Sequence, residues 1–170
     1  VRRSRGGTSS ATLVVDTTHI LPIFNVETAA FGKGDLRELI SARVEKLVPQ
    51  CLLIEAKWVM YSLARRGVIR DLDEAIKDFN DGLRFLAYRR AFRIVDSSNP
   101  EIDLLESRIY RALGIRDYFD RAILAVAKYY NATLLTEDKD LLSLDTATHE
   151  AILPKRIVNW RALRKLLALA

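Results

Sequence analysis

Residues 120–140 read DRAILAVAKYYNATLLTEDKD, and this stretch decides the fold. Its first half puts Ile123, Leu124 and Ala127 three, four and seven positions after Asp120. That spacing predicts an amphipathic helix over 117–130, with Asp120 in its first turn leaning toward the apolar face. Asn131 suits the position just past the helix end. Ala132-Thr-Leu-Leu-Thr136 is then a short apolar run, with Asp138 two residues beyond it. Such a run fits a strand covered on both faces, as in a parallel sheet. A helix feeding directly into such a strand is half of a βαβ unit.

The same grammar extends outward. Leu13, Val14 and Val15 form another unbroken apolar run, ending at Asp16. Gly32 and Gly34 mark a loop. Asp35 is placed to cap a helix with apolar positions Leu36, Leu39, Ile40, Val44 and Leu47, interrupted at Pro49. A second helix is expected from about Cys51 to Arg66, stopped by Gly67, with Leu52, Ala56, Val59, Met60 and Leu63 as its stripe. Asp71 to Arg90 repeats apolar residues at helical spacing, and Gly82 is placed to bend it. The segment 68–90 reads as a helical insertion. Phe92, Ile94 and Val95 suggest a strand, 100–113 a helix closed by Gly114, 157–158 a last strand, and Trp160 the start of a final helix. Strands alternating with helices imply an α/β fold, a three-layer α/β/α sandwich around a mainly parallel sheet. Residues 1–10 (VRRSRGGTSS) read as a flexible arm and 11–170 as a single domain.

Composition narrows the chemistry. The 170 residues suit one domain of roughly 100–200 residues. No uncharged stretch approaches the ~18 residues of a membrane helix. With no charged-then-apolar opening, a cytoplasmic location is the expectation. The single cysteine excludes an internal disulfide framework, and two histidines leave little room for a His-based metal cage or triad. The net charge is +5, but Arg2, Arg3 and Arg5 of the arm contribute three of those charges. The basic excess is therefore a weak pointer to nucleic acid.

The informative charges are negative. In open parallel sheets, sites form beyond the carboxyl ends of strands, and Asp16 and Asp138 fall there. Glu55 shares a helix stripe with Leu52 and Val59. Asp120 leans toward the core. Each acid has an ordinary reading: Asp16 as a turn residue, Glu55 reaching solvent, Asp117 and Asp120 as N-cap and dipole-favouring acid, Asp138 as a cap, Asp140 as solvated. The combined pattern carries the functional case. Carboxylates without His or Cys suit Mg²⁺ or Mn²⁺. Such a centre can hold a phosphate oxygen and activate a water, which is the logic of phosphodiester hydrolysis.

LVVDTTHI, then IEAKW, then DRAILAVAKYYNATLLTEDKD resembles the PIN domain family over about residues 12–141. The family's first acid with its Thr or Ser resembles Asp16-Thr17, and its helix glutamate resembles Glu55. Its D-x-x-I-x-A-x-A pattern is approximated by Asp120 to Ala127, and its T-x-D-x-D ending matches Thr136, Asp138 and Asp140. The chain departs from the family at Tyr130-Asn131, at Leu141 where an aromatic often stands, and at Glu137 where a basic residue is common. The resemblance implies an α/β/α sandwich and a Mg²⁺- or Mn²⁺-dependent endoribonuclease, in a family that includes the VapC-like toxins of toxin–antitoxin pairs.

By that resemblance Asp16, Glu55, Asp120 and Asp138 are the catalytic and metal-holding residues. Thr17, Thr136, Asp117 and Asp140 support them or orient substrate. Single-stranded RNA is the expected substrate, with an antitoxin-like protein and a homodimer as expected partners. Lys57, Arg116, Arg121, Lys128 and Lys139 lie near the motifs as counter-charges for RNA, and Arg84, Arg89, Arg90 and Arg93 form a second basic cluster. His19 and Cys51 read as packing residues. Two rival readings remain: a catalytically weak interaction module, and a phosphatase of the haloacid-dehalogenase type. The latter typically needs an acid where Thr18 stands.

Overall fold

A computed structural model describes residues 12–168, so the arm expected at 1–10 lies outside the described residues. The chain runs β1 (Thr12–Val15), α1 (Thr17–Ile20), a 3-10 turn (Leu21–Phe24), α2 (Lys33–Ser41), β2 (Glu45–Pro49), α3 (Gln50–Arg65) and α4 (Leu72–Tyr88). It continues with β3 (Arg93–Val95), α5 (Pro100–Leu113), α6 (Tyr118–Tyr129), β4 (Thr133–Leu135), α7 (Lys139–Leu142), β5 (Ile157–Val158) and α8 (Trp160–Ala168). The five strands form one sheet in the order β3-β2-β1-β4-β5, every pair parallel. This is the α/β architecture expected, with helices flanking the sheet.

The apolar runs explain the central strands. Val14, Val15, Leu47, Val48, Leu134 and Leu135 are all inaccessible to solvent, as strands covered on both faces must be. Val14 stands between Leu47 and Leu134 in register. α6 packs over β1, β2 and β4, and its Ala122–Ala127 segment is wholly buried. The chain reverses its direction of winding at β1, which has β2 on one side and β4 on the other. A crevice opens at such a switch point, beyond the carboxyl ends of the strands.

Two local expectations are corrected. The helix predicted from Leu36 to Leu47 ends at Ser41, and residues 45–49 are β2. Leu47 continues the helical spacing only by coincidence. The structure turns because Ala42 is extended and the Lys46 ammonium reaches back to the carbonyls of Ile40 (3.2 Å) and Ala42 (2.7 Å). Lys46 thus caps the negative end of α2. Asp35 sits inside the first turn rather than ahead of it, accepting the Gly32 N–H at 3.1 Å. Gly82 does not divide its segment, since α4 runs on through it. A Cβ there would meet the Phe24 ring at 2.2 Å. The glycine lets Phe24 stack on Phe79 (5.1 Å), which docks α4 on the 3-10 turn. The expected insertion is therefore packed into the body. Among the described residues no helix is long and apolar enough to cross a membrane.

Candidate active site

Asp16 leaves the end of β1 with both carboxylate oxygens engaged. Oδ1 accepts the Thr17 N–H (2.5 Å) and starts α1. Oδ2 accepts the Thr136 hydroxyl (2.6 Å). The Thr136 oxygen in turn accepts the Asp138 N–H (3.0 Å). One hydroxyl thus ties the ends of β1 and β4 together, and it is fully buried. The Thr17 hydroxyl donates to Glu55 Oε2, which fixes the α3 carboxylate against the same corner.

The remaining acids arrive on helix starts. Asp117 caps α6 by accepting the N–H groups of Phe119 (2.7 Å) and Asp120 (3.3 Å). Asp138 caps α7 by accepting those of Asp140 (2.7 Å) and Leu141 (3.1 Å). These are the ordinary capping roles anticipated for both residues, and they also aim the loops. Arg116, Asp117, Asp120 and Asp140 line a cleft of about 290 Å³ floored by Leu141.

Electrostatics bind the acids into one group. Burial pushes the Glu55 carboxyl up to about 7; the Thr17 hydrogen bond opposes this, while Asp16, Asp117 and Asp120 add to it. Burial also raises Asp120 to about 6, with Asp117, Asp138, Asp16 and Asp140 contributing in that order. Asp16 is raised too, chiefly by burial, against the Thr136 hydrogen bond. Glu55, Asp120 and Asp16 are thus each raised by burial and, behind it, by neighbouring carboxylates. Among the described residues no three acidic, His or Cys side chains already close around a single point. Like charges placed near one another favour the protonated carboxyl, and an opposite charge favours the ionised one. The donor set itself, all hard oxygen, fits Mg²⁺ or Mn²⁺.

Some neighbours read differently in three dimensions. Glu137 does not extend the acidic cluster: its Oε1 accepts the Trp160 N–H (2.8 Å) and stands 3.4 Å from His19 Nε2. The His19 contact leads in lowering its pKa. His19 is fully buried and packs edge-on against Phe31 (4.7 Å), with neither ring nitrogen hydrogen-bonded among the described residues. Trp160 Nε1 donates to Asp35 (2.8 Å), so α8 is wired to α2 and to the β4 corner at once. No sequence signal marked that wiring, because its partners lie far apart along the chain. Arg121 is withdrawn from the RNA counter-charges: it pairs with Glu106 and donates to the carbonyls of Ile115 (2.9 Å) and Arg116 (2.6 Å). Lys128 donates to the carbonyl of Glu150, which fixes its position without neutralising its charge. Cys51 is buried, and burial raises its thiol pKa.

Known structures share this fold. PAE2754 from Pyrobaculum aerophilum superposes with a TM-score of 0.60 at 16% identity, covering 96% of this chain and all of that one. VapBC2 from Rickettsia felis, bound to a DNA fragment from its promoter, gives 0.57 at 16% identity over 88% of this chain and 98% of that one. VapC20 from Mycobacterium tuberculosis, a toxin that cleaves the sarcin–ricin loop, gives 0.50 at 15% identity over 84% and 97%. No curated protein matches the chain. The PIN domain model matches residues 13–147, from β1 to beyond α7, and the chain therefore belongs to the PIN domain family.

Proposed function

We propose that this protein is a Mg²⁺- or Mn²⁺-dependent endoribonuclease whose reacting centre is the carboxylate cluster of Asp16, Glu55, Asp120 and Asp138. The observation that carries this reading is the gathering of these carboxylates at the carboxyl ends of β1 and β4, where Thr136 joins Asp16 to the Asp138 backbone and Thr17 holds Glu55, with burial first and neighbouring acids second raising Glu55 to about 7 and Asp120 to about 6. A structural ion-pair network would lower these values, and only a cation or a proton relieves them. When bound, the metal supplies neutralisation of the scissile phosphate and acidification of a water. Thr136 holds Asp16 Oδ2 in place, and Thr17 holds Glu55 Oε2. Glu55 Oε1, left over by the Thr17 hydrogen bond to Oε2, would serve with Asp16, Asp120 and Asp138 in holding the metal. Asp117 and Asp140, exposed at the rim, hold the approach to the cleft. In-line attack leaves a 3′-hydroxyl and a 5′-phosphate.

Single-stranded RNA fits best, because an unstacked strand presents its backbone to a cleft. The VapBC and toxin–antitoxin neighbours support an antitoxin-like protein as a partner, and a homodimer is proposed beside it. Cleavage of single-stranded RNA with Mg²⁺ or Mn²⁺, against EDTA and Asp16→Asn controls, tests the reading. Folded Asp16→Asn protein with full metal-dependent activity would refute it. Turnover of small phosphomonoesters without RNA cleavage would favour the phosphatase chemistry instead.

A further inference from the structure

A basic pocket lies away from the carboxylates. It measures about 500 Å³ and is bordered by Lys46, Arg89, Arg90 and Arg93, with Glu45 as its one acid. Because the strands are all parallel, the starts of β2 and β3 stand at the end of the sheet remote from Asp16. Lys46 pairs in register with Leu13, three residues before Asp16, or ~10 Å of strand.

Of these cations only Arg93 is neutralised by an ion pair among the described residues. Glu45 is taken by Arg93 at 2.9 Å. The Lys46 ammonium is buried and held by two neutral carbonyls, and desolvation lowers its pKa. Those carbonyls fix it in place and leave one of its three donors over. Arg89 and Arg90 are exposed and form no ion pair among the described residues. Like charges gathered around one pocket repel, and an anion with several oxygens relieves them. Guanidinium forks match phosphate oxygens in pairs, while a lysine acts as a point charge. Tyr88, next to Arg89 in sequence, is 83% exposed and gives a nucleobase a face to stack on.

We propose that this pocket is an exosite for the phosphate groups of a single-stranded nucleic acid, separate from the carboxylate cluster. It goes beyond the nuclease reading and uses none of its residues. A strand held here is retained by charge without regard to sequence.

The test is binding of a short labelled single-stranded RNA in EDTA, across a salt series. Arg89→Ala/Arg90→Ala protein is compared with Arg108→Ala/Arg111→Ala protein. All four arginines are exposed, and matched thermal unfolding verifies that both variants fold. The first variant is expected to bind on the order of tenfold more weakly, with a log–log salt slope shallower by about 1.4 for two lost phosphate contacts. The control stays within about twofold, since it loses the same charge without a phosphate contact. Equal weakening in both variants reduces the effect to net charge and overturns the proposal, as does no weakening in either. Inorganic tripolyphosphate is titrated in parallel. If it alone loses affinity in the first variant, the pocket takes free phosphate compounds and the nucleic-acid assignment is overturned.

Discussion

Glu55→Gln is expected to make the metal-free protein more stable, although it removes a residue of the reacting centre. The glutamine keeps an oxygen for the Thr17 hydroxyl and removes the charge that burial and three neighbouring acids oppose. The shift from 4.5 to about 7 corresponds to roughly 3 kcal/mol at about 1.36 kcal/mol per pKa unit. Solvent reaches the half-buried carboxylate, so about 1–2 kcal/mol remains after screening. The sign follows from a folded-state pKa above the unfolded one. The folded protein holds this proton more tightly, so the cost is absent below about pH 4.5, grows as pH rises, and is complete above about 7. The variant should therefore match the wild type near pH 4 and exceed it at pH 8. For a chain of this size the gain is about 2–8 °C in Tm. Thermal unfolding in EDTA from pH 4 to 8 reads it directly. A gain independent of pH, or a loss at pH 8, refutes the reasoning. Adding Mn²⁺ should stabilise the wild type more than the variant, because a ligand of the native state stabilises by mass action.

Asp16→Asn should lower metal-dependent RNA cleavage by roughly 10²–10³-fold in single-turnover assays while leaving Tm within a few degrees. Thr136→Val removes the donor to Asp16 and the acceptor for the Asp138 N–H. It should cost about 1–3 kcal/mol in urea unfolding and shift the Mg²⁺ dependence of cleavage to higher concentration. Gly82→Ala forces a methyl group into the Phe24 ring. It should cost about 1–3 kcal/mol by overpacking, against an otherwise favourable change in helix propensity, as measured by urea midpoint. Mn²⁺ affinity should rise with pH between about 6 and 8, since Glu55 and Asp120 release protons to bind it. Isothermal titration in two buffers of different ionisation enthalpy would detect those protons.

β1 and β4 were legible because a buried parallel strand is an unbroken apolar run closed by a polar residue. β2 was not. Its Leu47 falls in step with Leu36, Leu39, Ile40 and Val44, and Lys46 interrupts the apolar run that would have marked a strand. Burial of that lysine depends on the carbonyls of Ile40 and Ala42, which turn toward it only once α2 has ended. The places of Asp16, Asp120 and Asp138 in the fold were legible because strand ends and helix starts are local features. The direction of Glu137 was not, since Trp160 fixes it from 23 positions away. Arg121 reads as a cation beside the motif until Glu106, on the preceding helix, takes it.

The two ends of the sheet follow one rule with opposite signs. At the carboxyl ends, acids are drawn together by hydroxyls and backbone N–H groups, none of which cancels their charge. At the amino ends, Lys46 is held by carbonyls that leave its charge standing, and Arg89 and Arg90 form no ion pair among the described residues. In each case neutral dipoles or nearby backbone bring like charges close, and the folded chain alone does not neutralise them. A metal ion at one end and phosphate at the other would each add a counter-charge that the fold lacks. An RNA strand carries phosphate for both, so binding at the basic end raises the local concentration of scissile bonds at the acidic one. That coupling predicts a readout that neither site gives alone. Arg89→Ala/Arg90→Ala should raise KM for long RNA and leave kcat unchanged, while KM for a dinucleotide too short to span ~10 Å of strand stays as it was.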